Sequence, residues 1–234
     1  MPAIDFSIGA GTKANGLFTR YTLKADGELE GEKISAEMSQ KMNQVSYGAL
    51  LFLDATWAVL SVGIQHGFNN FDEAMVADSP SIDNIENKTK GTGSELMLTF
   101  ALSGKYPVSL SEKLIIFPLI GIEYQIALIQ SRTPEGRSKY NRTDEVKGDT
   151  DSNGNTYRLP AWNSLFVVVG TGLDIRLSSS LFLRTEVQYG FRLMTPYEKD
   201  SVVKAKNGLN ADNPKMRGLT SGPSLLIAVR RQIN

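Results

Sequence analysis

Charged side chains recur at every second position of several short segments, where they alternate with apolar residues. In Leu181 to Leu193, for example, Arg184, Glu186 and Arg192 share one set of alternate positions with Gly190. Acids and bases that are held together away from water pair with one another, so such sets predict an internal network of charges. Its members are Glu95, Lys105, Glu123, Asp174, Arg176, Arg184, Glu186, Arg192 and Arg230.

A second candidate for chemistry is His66, the one histidine of the chain. A histidine can activate a serine nucleophile when the two side chains touch, and Ser61 and Ser94 are the nearest candidates in sequence. No motif places either serine beside the imidazole. The alternation instead puts His66 on a lipid-facing set at headgroup level, so we predict that the protein is not an enzyme.

A third candidate is the segment from Asp149 to Asn155, which resembles the first half of a calcium-binding loop. It has oxygen ligands at alternate positions and a glycine where the sharp turn would fall. The twelfth position, which should be an acidic ligand, is Pro160. Clusters of Asp, Asn and Gly are also ordinary turn formers, so we predict no metal and no cofactor.

The elements that must position these residues are β-strands, because apolar side chains recur with a strict period of two. Along Leu181 to Leu193 the apolar set faces away from the charges. Eight such segments run through the chain: Ile4 to Thr12, Val45 to Leu53, Trp57 to His66, Ser94 to Tyr106, Leu114 to Ile129, Ser164 to Leu177, Leu181 to Leu193 and Leu225 to Val229. The pattern predicts an all-β fold, an eight-stranded antiparallel up-and-down transmembrane β-barrel formed by a single domain over residues 1–234.

Short turns alternate with long polar connections along this series. The predicted long loops are Phe68 to Gly93, Ser131 to Pro160 and Thr195 to Gly218. Lys13 to Asn43 is predicted to form a protruding hairpin, which could offer a strand edge to a partner. Each of Pro118 and Pro223 removes a ladder hydrogen bond, and we interpret both as bulges.

Composition limits the function classes. The 25 basic and 25 acidic residues cancel, which gives no reason to expect a nucleic-acid partner, and the chain has no cysteine. No apolar run reaches the roughly 18 residues of a membrane-spanning helix. The first residues, Met1 to Ala3, lack the basic segment and apolar core of a signal peptide, and we expect an export leader to have been removed.

The paired segments from Leu173 to Val187, joined by Ser178 to Ser180, and the terminal Leu225 to Ile233 resemble the small eight-stranded outer-membrane proteins of the OmpA, OmpX and OmpW group. The resemblance is one of layout and covers nearly the whole chain. It implies a bacterial outer-membrane location, lipid neighbours and a monomer. By likeness to OmpW, it also implies that an apolar pocket could accept a small hydrophobic solute.

We therefore predict a barrel whose narrow interior is plugged by its charged side chains. The expected role is structural or adhesin-like, with loops that could bind a host or surface ligand. Two alternatives stay open: a narrow porin or OmpW-like channel, and a soluble lipid-carrying barrel in which the apolar set faces inward. Four aromatic residues of the inward sets are predicted to seal the periplasmic mouth: Phe52, Trp57, Phe117 and Phe182. Four others on the outward sets are predicted to form an aromatic girdle: Tyr47, Tyr124, Tyr189 and Phe191.

Overall fold

The computed structural model describes residues 5–29, 32–79, 82–135, 140–141, 163–194 and 210–233, and every regular element in these ranges is a β-strand. The strands are β1 Phe6–Leu29, β2 Glu32–Ala55, β3 Ala58–Ser79, β4 Ile82–Lys105, β5 Val108–Ser111, β6 Leu114–Pro134, β7 Tyr140–Asn141, β8 Ser164–Arg176, β9 Leu181–Met194 and β10 Asn210–Ile233. β5 and β7 are short strands that pair with β6.

The other eight strands close into a ring by antiparallel pairing. Each pairs with the next barrel strand along the chain, and β1 pairs with β10 from Phe6 opposite Ile233 to Glu28 opposite Asn210. Closure lets neighbouring strands satisfy each other's backbone groups, as a strand structure in lipid requires. The predicted eight-stranded up-and-down barrel is confirmed.

The two faces of the barrel wall are chemically opposite. On the outside, Val45 is 63% exposed and Ile120 is 62% exposed, whereas Arg184 is 0% exposed inside. This arrangement contradicts the soluble lipid-carrier alternative, because that alternative needs the apolar set inside and the charges outside. The same alternation that predicted the strands therefore also assigns their faces.

Several strands extend far beyond the apolar band. β1 and β2 have 24 residues each, roughly 80 Å of extended chain, whereas ~9 to 11 tilted residues cross the hydrocarbon core of a bilayer. The prediction of a loop over Phe68 to Gly93 is wrong, because β3 continues to Ser79 and β4 begins at Ile82. The outward positions of these extensions are largely polar, as at Asn70 and Asp72, so the apolar period ends there even though Phe71 stays buried inside.

The other two predicted loops have different outcomes. Most of Ser131 to Pro160 lies outside the described residues, although its first four residues continue β6. The loop predicted over Thr195 to Gly218 is wrong in its last part, because β10 begins at Asn210 and pairs with β1 there. Backbone pairing with β1 needs no particular side chain, which is why the polar sequence gave no sign of it.

The protruding first hairpin is confirmed, but it does not present a free edge in the described region. β1 is paired with β10 up to Glu28, and β2 is paired with β3 from Ser35 opposite Asp78. The prediction that this hairpin offers an edge for strand addition is therefore wrong. Its neighbours rise nearly as high as it does and occupy both sides.

The bulge interpretation of the two prolines is also wrong, since neither lies at a register shift. Pro118 is in register with Thr171 of β8, and its carbonyl accepts a hydrogen bond from the Tyr106 amide at 3.2 Å. Its missing amide therefore faces the break between β4 and β5. Pro223 lies where the β1–β10 ladder is interrupted, between the pairs Asn15–Ser224 and Phe18–Ser221. Each proline occupies a gap in a ladder.

Candidate functional site

The interior of the barrel holds a charge cluster near the short-turn end, the end at which β2 turns into β3. Arg184 lies at its centre, with Nε donating to Asp174 Oδ1 at 2.7 Å and Nη2 donating to Asp174 Oδ2 at 2.8 Å. Arg184 also bonds Asp54 of β2, across the bore from β9. Lys105 reaches the same Asp54 carboxylate at 2.7 Å. The Arg184 guanidinium, bidentate to Asp174 and bonded to Asp54, therefore fixes the centre of this cluster.

The cluster continues to the strand pair that closes the ring. Arg230 on β10 donates from Nε to Asp174 Oδ2 at 3.0 Å and from Nη1 to the Ser7 hydroxyl at 2.8 Å. Ser7 is on β1 and separated from Arg230 by 223 positions in the sequence. The network therefore joins the two ends of the chain inside the barrel.

Aromatic rings enclose the cluster. The Arg184 guanidinium lies 4.9 Å from the ring centre of Phe117 and 5.3 Å from that of Phe52, and Arg230 lies 4.0 Å from that of Phe182. These three rings are buried, and cation–π contacts stabilise a cation more strongly when it is removed from water. Trp57, predicted to join them, is instead 57% exposed, because it lies in the turn between β2 and β3.

Two glycines make room for these rings. A Cβ on Gly172 would lie 2.2 Å from the Phe117 ring, and a Cβ on Gly9 would lie 2.1 Å from the Phe52 ring. The rings therefore pack directly on backbone across the narrow bore. This is the physical reason for glycine in the inward set of these strands.

A second layer of charges lies further up the bore. Lys13 on β1 forms an ion pair with Glu123 on β6, the strand diametrically opposite in the ring. Gln125 donates to Glu123 at 2.8 Å, and Gln188 donates to Glu186 at 2.7 Å. The cavity between this layer and the lower cluster is only about 40 Å³, room for about three water molecules.

The outer half of the lumen is wider. Glu95 accepts hydrogen bonds from Gln44 and Gln130, and Arg192 lies 3.5 Å from the Thr220 hydroxyl. These side chains line a cavity of about 110 Å³ with a partly apolar wall, formed by Leu17, Met42, Met97, Phe166 and Leu193. The lining is mixed, as in sites for small molecules, but about 110 Å³ is below the roughly 300 Å³ at which drug-sized pockets begin, so only a solute of a few heavy atoms would fit.

Arg176 is placed differently from the other predicted network residues. It is the last residue of β8 and is exposed, with its guanidinium 5.3 Å from the ring centre of Phe182. Including Arg176 among the interior charges was therefore wrong. Alternation alone does not distinguish Arg176 from the interior charges, because an inward position at the end of a strand already reaches water.

Sequence reasoning missed four charged residues that the structure brings into the interior network. Lys13 begins the predicted protruding hairpin and Asp54 follows the predicted strand Val45 to Leu53, although each continues the inward set of its strand. Glu73 and Arg132 pair with each other in the outer extension, where the Arg132 guanidinium lies 4.5 Å from the ring centre of Phe71. Extending each of the two predicted strands by one position, from Thr12 to Lys13 and from Leu53 to Asp54, is enough to find the first two.

The predicted girdle residues lie on the outer face. Tyr47 is 56% exposed, Phe191 43%, Tyr189 39% and Tyr124 38%. Tyr189 packs against Phe191 with ring centres 5.0 Å apart. All four side chains therefore lie on the outer face, and their place at the boundary between lipid and water stays a prediction.

The hypothetical serine–histidine pair does not form. His66 is on the outer face, with its ring centre 4.4 Å from that of Phe68 and 6.4 Å from that of Tyr47. Ser61 belongs to the inward set, and the Ser94 hydroxyl is 2.8 Å from that of Ser131. The segment from Asp149 to Asn155 lies outside the described residues. Within the described ranges, no group of three or more His, Asp or Glu side chains could hold a metal ion.

An apolar outer wall around a lumen filled with polar side chains, in a closed ring of eight strands, defines a transmembrane β-barrel. No helix within the described ranges is long and apolar enough to cross a membrane. The sequence matches no described protein family, and no curated protein matches it.

Solved structures similar to this chain include the outer membrane protein OprG from Pseudomonas aeruginosa, at 13% identity over 99% of this chain and 97% of that one, with a TM-score of 0.39. Neisserial surface protein A is 14% identical over 97% of both chains, with a TM-score of 0.39. Ail, the attachment invasion locus protein of Yersinia pestis, is 9% identical over 97% of this chain and 99% of its own, with a TM-score of 0.30. The ring of eight antiparallel strands confirms the predicted resemblance in layout to small eight-stranded outer-membrane barrels, and no activity transfers at this similarity.

Proposed function

We propose that this chain is a non-enzymatic barrel of a bacterial outer membrane, with a lumen that is closed to ions. The observation that carries this proposal is the position of Arg184, fully buried across the bore near its short-turn end and bonded to Asp54 and Asp174 from opposite parts of the wall. Its hydrogen bonds and the enclosing rings leave little space for a hydrated ion. A plugged eight-stranded barrel suits a structural role.

The extended strands support an adhesin-like part of this role. The hairpins β1–β2 and β3–β4 continue well past the aromatic residues of the outer face and form one continuous sheet. A rigid projecting sheet presents a fixed surface to a host molecule or another surface ligand, whereas a flexible loop pays more entropy on binding. The surface chemistry of these hairpins would then select the partner.

Conductance in a planar bilayer tests the closed lumen. We expect refolded wild-type protein to insert without steady unitary current steps. Arg184→Ala should lower the barrier to ions, because it removes the central side chain and leaves water-sized space between Phe52 and Phe117. An exposed control, Arg231→Ala, should behave like the wild type. Steady steps from the wild type would contradict the plug.

A second candidate function is passage or binding of a small solute, and the cavity of about 110 Å³ in the outer lumen favours it. Uptake of small solutes by vesicles that contain the barrel distinguishes the two functions. If solutes enter this cavity, Met97→Trp should block their uptake, because Met97 is buried in the lining. The neighbouring Leu98→Trp points outward and should not. Equal uptake by vesicles with and without the wild-type protein would exclude this candidate.

A further inference from the structure

The outer face of the barrel carries two positive charges at directly opposed positions. Arg20 on β1 is in register with Lys41 on β2, and both side chains are exposed. Like charges directly opposite each other on antiparallel strands repel and destabilise the pair. On its other side, Arg20 faces Leu219 of β10. Lys41 faces Asp72 of β3, which already takes part in an ion pair with another lysine.

That second lysine is Lys90 on β4, with its Nζ 3.8 Å from an Asp72 oxygen. Asp72 is therefore paired with Lys90 and not with Lys41, and the exposed Glu135 lies beyond Lys90, with its amide bonded to the Lys90 carbonyl at 2.8 Å. Arg20, Lys41, Asp72, Lys90 and Glu135 together carry one more positive than negative charge. The excess lies at the Arg20–Lys41 end, which is the end without an acid.

The height of this pair on the wall points to the lipid headgroups. Phe18 and Val45 lie two and four residues closer to the membrane on the same strands and are 56% and 63% exposed. Phe68 continues this apolar edge on β3, with its ring stacked against Tyr47 at 6.3 Å between centres. One step of two residues along a strand is roughly 7 Å. The cations therefore lie just beyond the last lipid-facing side chains.

Between the apolar edge and the cations runs a row of neutral hydrogen-bonding side chains. Its members occupy directly opposed register positions on four adjacent strands: Asn43, Asn70, Thr92 and Thr133. They line an outer groove of about 830 Å³, whose lining also includes Lys41 and Lys90. Amides and hydroxyls both donate and accept hydrogen bonds, which suits the hydroxyl groups of a sugar.

We propose that this surface binds the phosphorylated sugar headgroup of an outer-leaflet glycolipid. The phosphate lies between Arg20 and Lys41, where it relieves their repulsion and accepts paired hydrogen bonds from the guanidinium. The sugar occupies the groove, and the acyl chains run along Val45 and Phe68. The site is on the flank of the strands, below the tips of the hairpins. It rests on the proposed membrane location.

The test titrates detergent-folded protein with a bisphosphorylated disaccharide lipid, lipid A, and with its dephosphorylated form, and measures bound lipid by native mass spectrometry. Each cation near an anionic headgroup should contribute about fivefold in affinity, so Arg20→Gln/Lys41→Gln should weaken binding of the phosphorylated lipid by about 25-fold. The dephosphorylated lipid should bind the variant and the wild type equally. Inorganic phosphate alone should not compete at millimolar concentration.

The matched control is Lys24→Gln, which removes an exposed lysine from the same strand. Lys24 already has a partner, Glu37, with Nζ 2.7 Å from its carboxylate, so affinity should change less than twofold. An equal loss in this control would show diffuse attraction to the surface and overturn the site. Unchanged affinity in the double variant would also overturn it, as would full competition by inorganic phosphate.

A fold check separates these outcomes from failure of the membrane barrel itself. In uncharged detergent without lipid, the double variant should resist heat as well as the wild type or better, because it has lost a repulsion. The check is the shift in gel mobility between heated and unheated samples. If the wild type showed no such shift, the proposed membrane function would fail. A normal shift without lipid selectivity would contradict the glycolipid site alone.

Discussion

Replacing Arg184 by methionine tests whether the interior charges stabilise the barrel as a matched set. The two linked layers contain four bases and four acids, so they are formally neutral: Lys13, Lys105, Arg184 and Arg230 against Asp54, Glu123, Asp174 and Glu186. Arg184→Met leaves one negative charge in excess and takes two hydrogen bonds from Asp174. Removing one partner of a buried ion pair costs about 3 to 5 kcal/mol, so the folding equilibrium should fall by at least about 100-fold.

The assay is urea unfolding in phospholipid vesicles, followed by the fluorescence of Trp57 and Trp162, the two tryptophans of the chain. The exposed control Arg231→Met should stay within about 0.5 kcal/mol of the wild type. Adding Asp174→Asn to Arg184→Met restores neutrality and should recover part of the loss. If Arg184→Met were as stable as Arg231→Met, or if the double variant were less stable than the single one, the matched-set reasoning would be refuted.

Two further perturbations test the packing of the wall and of its outer extension. Gly172→Ala should lower the free energy of unfolding by about 1 to 3 kcal/mol, because its Cβ would lie 2.2 Å from the Phe117 ring. In Gly190→Ala the nearest atom is 3.5 Å away, and its urea midpoint should stay near that of the wild type. Arg132→Met should increase protease cleavage of the outer hairpins without changing the global midpoint, because it breaks the pair with Glu73. Equal midpoints for the two glycine variants, or unchanged proteolysis of Arg132→Met, would contradict these predictions.

The alternation of side chains was enough to predict the barrel, because the outer face of each strand meets lipid and the inner face meets a polar lumen, and each environment selects its own type of side chain. At Leu51 and Arg184 the wall has lipid on one side and a packed polar lumen on the other, so parity assigns each residue to a face. Above the membrane this contrast disappears. β3 continues past Phe68 to Ser79, where outward residues such as Asp72 are as polar as the inward Glu73, and its pairing with β2 depends on the backbone, which carries no side-chain pattern.

Parity also assigns a face without assigning a partner. Arg184 and Asp54 are 130 positions apart, and two strands lie between theirs in the ring. Which charges meet across the bore depends on the stagger between strands, and the stagger is set only when the barrel closes. Eight of the interior charges could therefore be predicted, whereas Lys13 and Asp54 lay just past the predicted strands and the pairing Lys13–Glu123 could not be predicted.

Because the charges meet only when the barrel closes, the charge network both results from closure of the barrel and stabilises the closed form. Its members come from β1, β2, β4, β6, β8, β9 and β10. Arg230 joins Ser7 across the pair β1–β10, whose two strands are the furthest apart in the sequence. An open sheet would leave these charges in water, where exposed pairs contribute little. Once β10 pairs with β1, water is excluded and each unpaired charge becomes costly. The narrow bore therefore favours the one stagger in which every acid of the two layers meets a base.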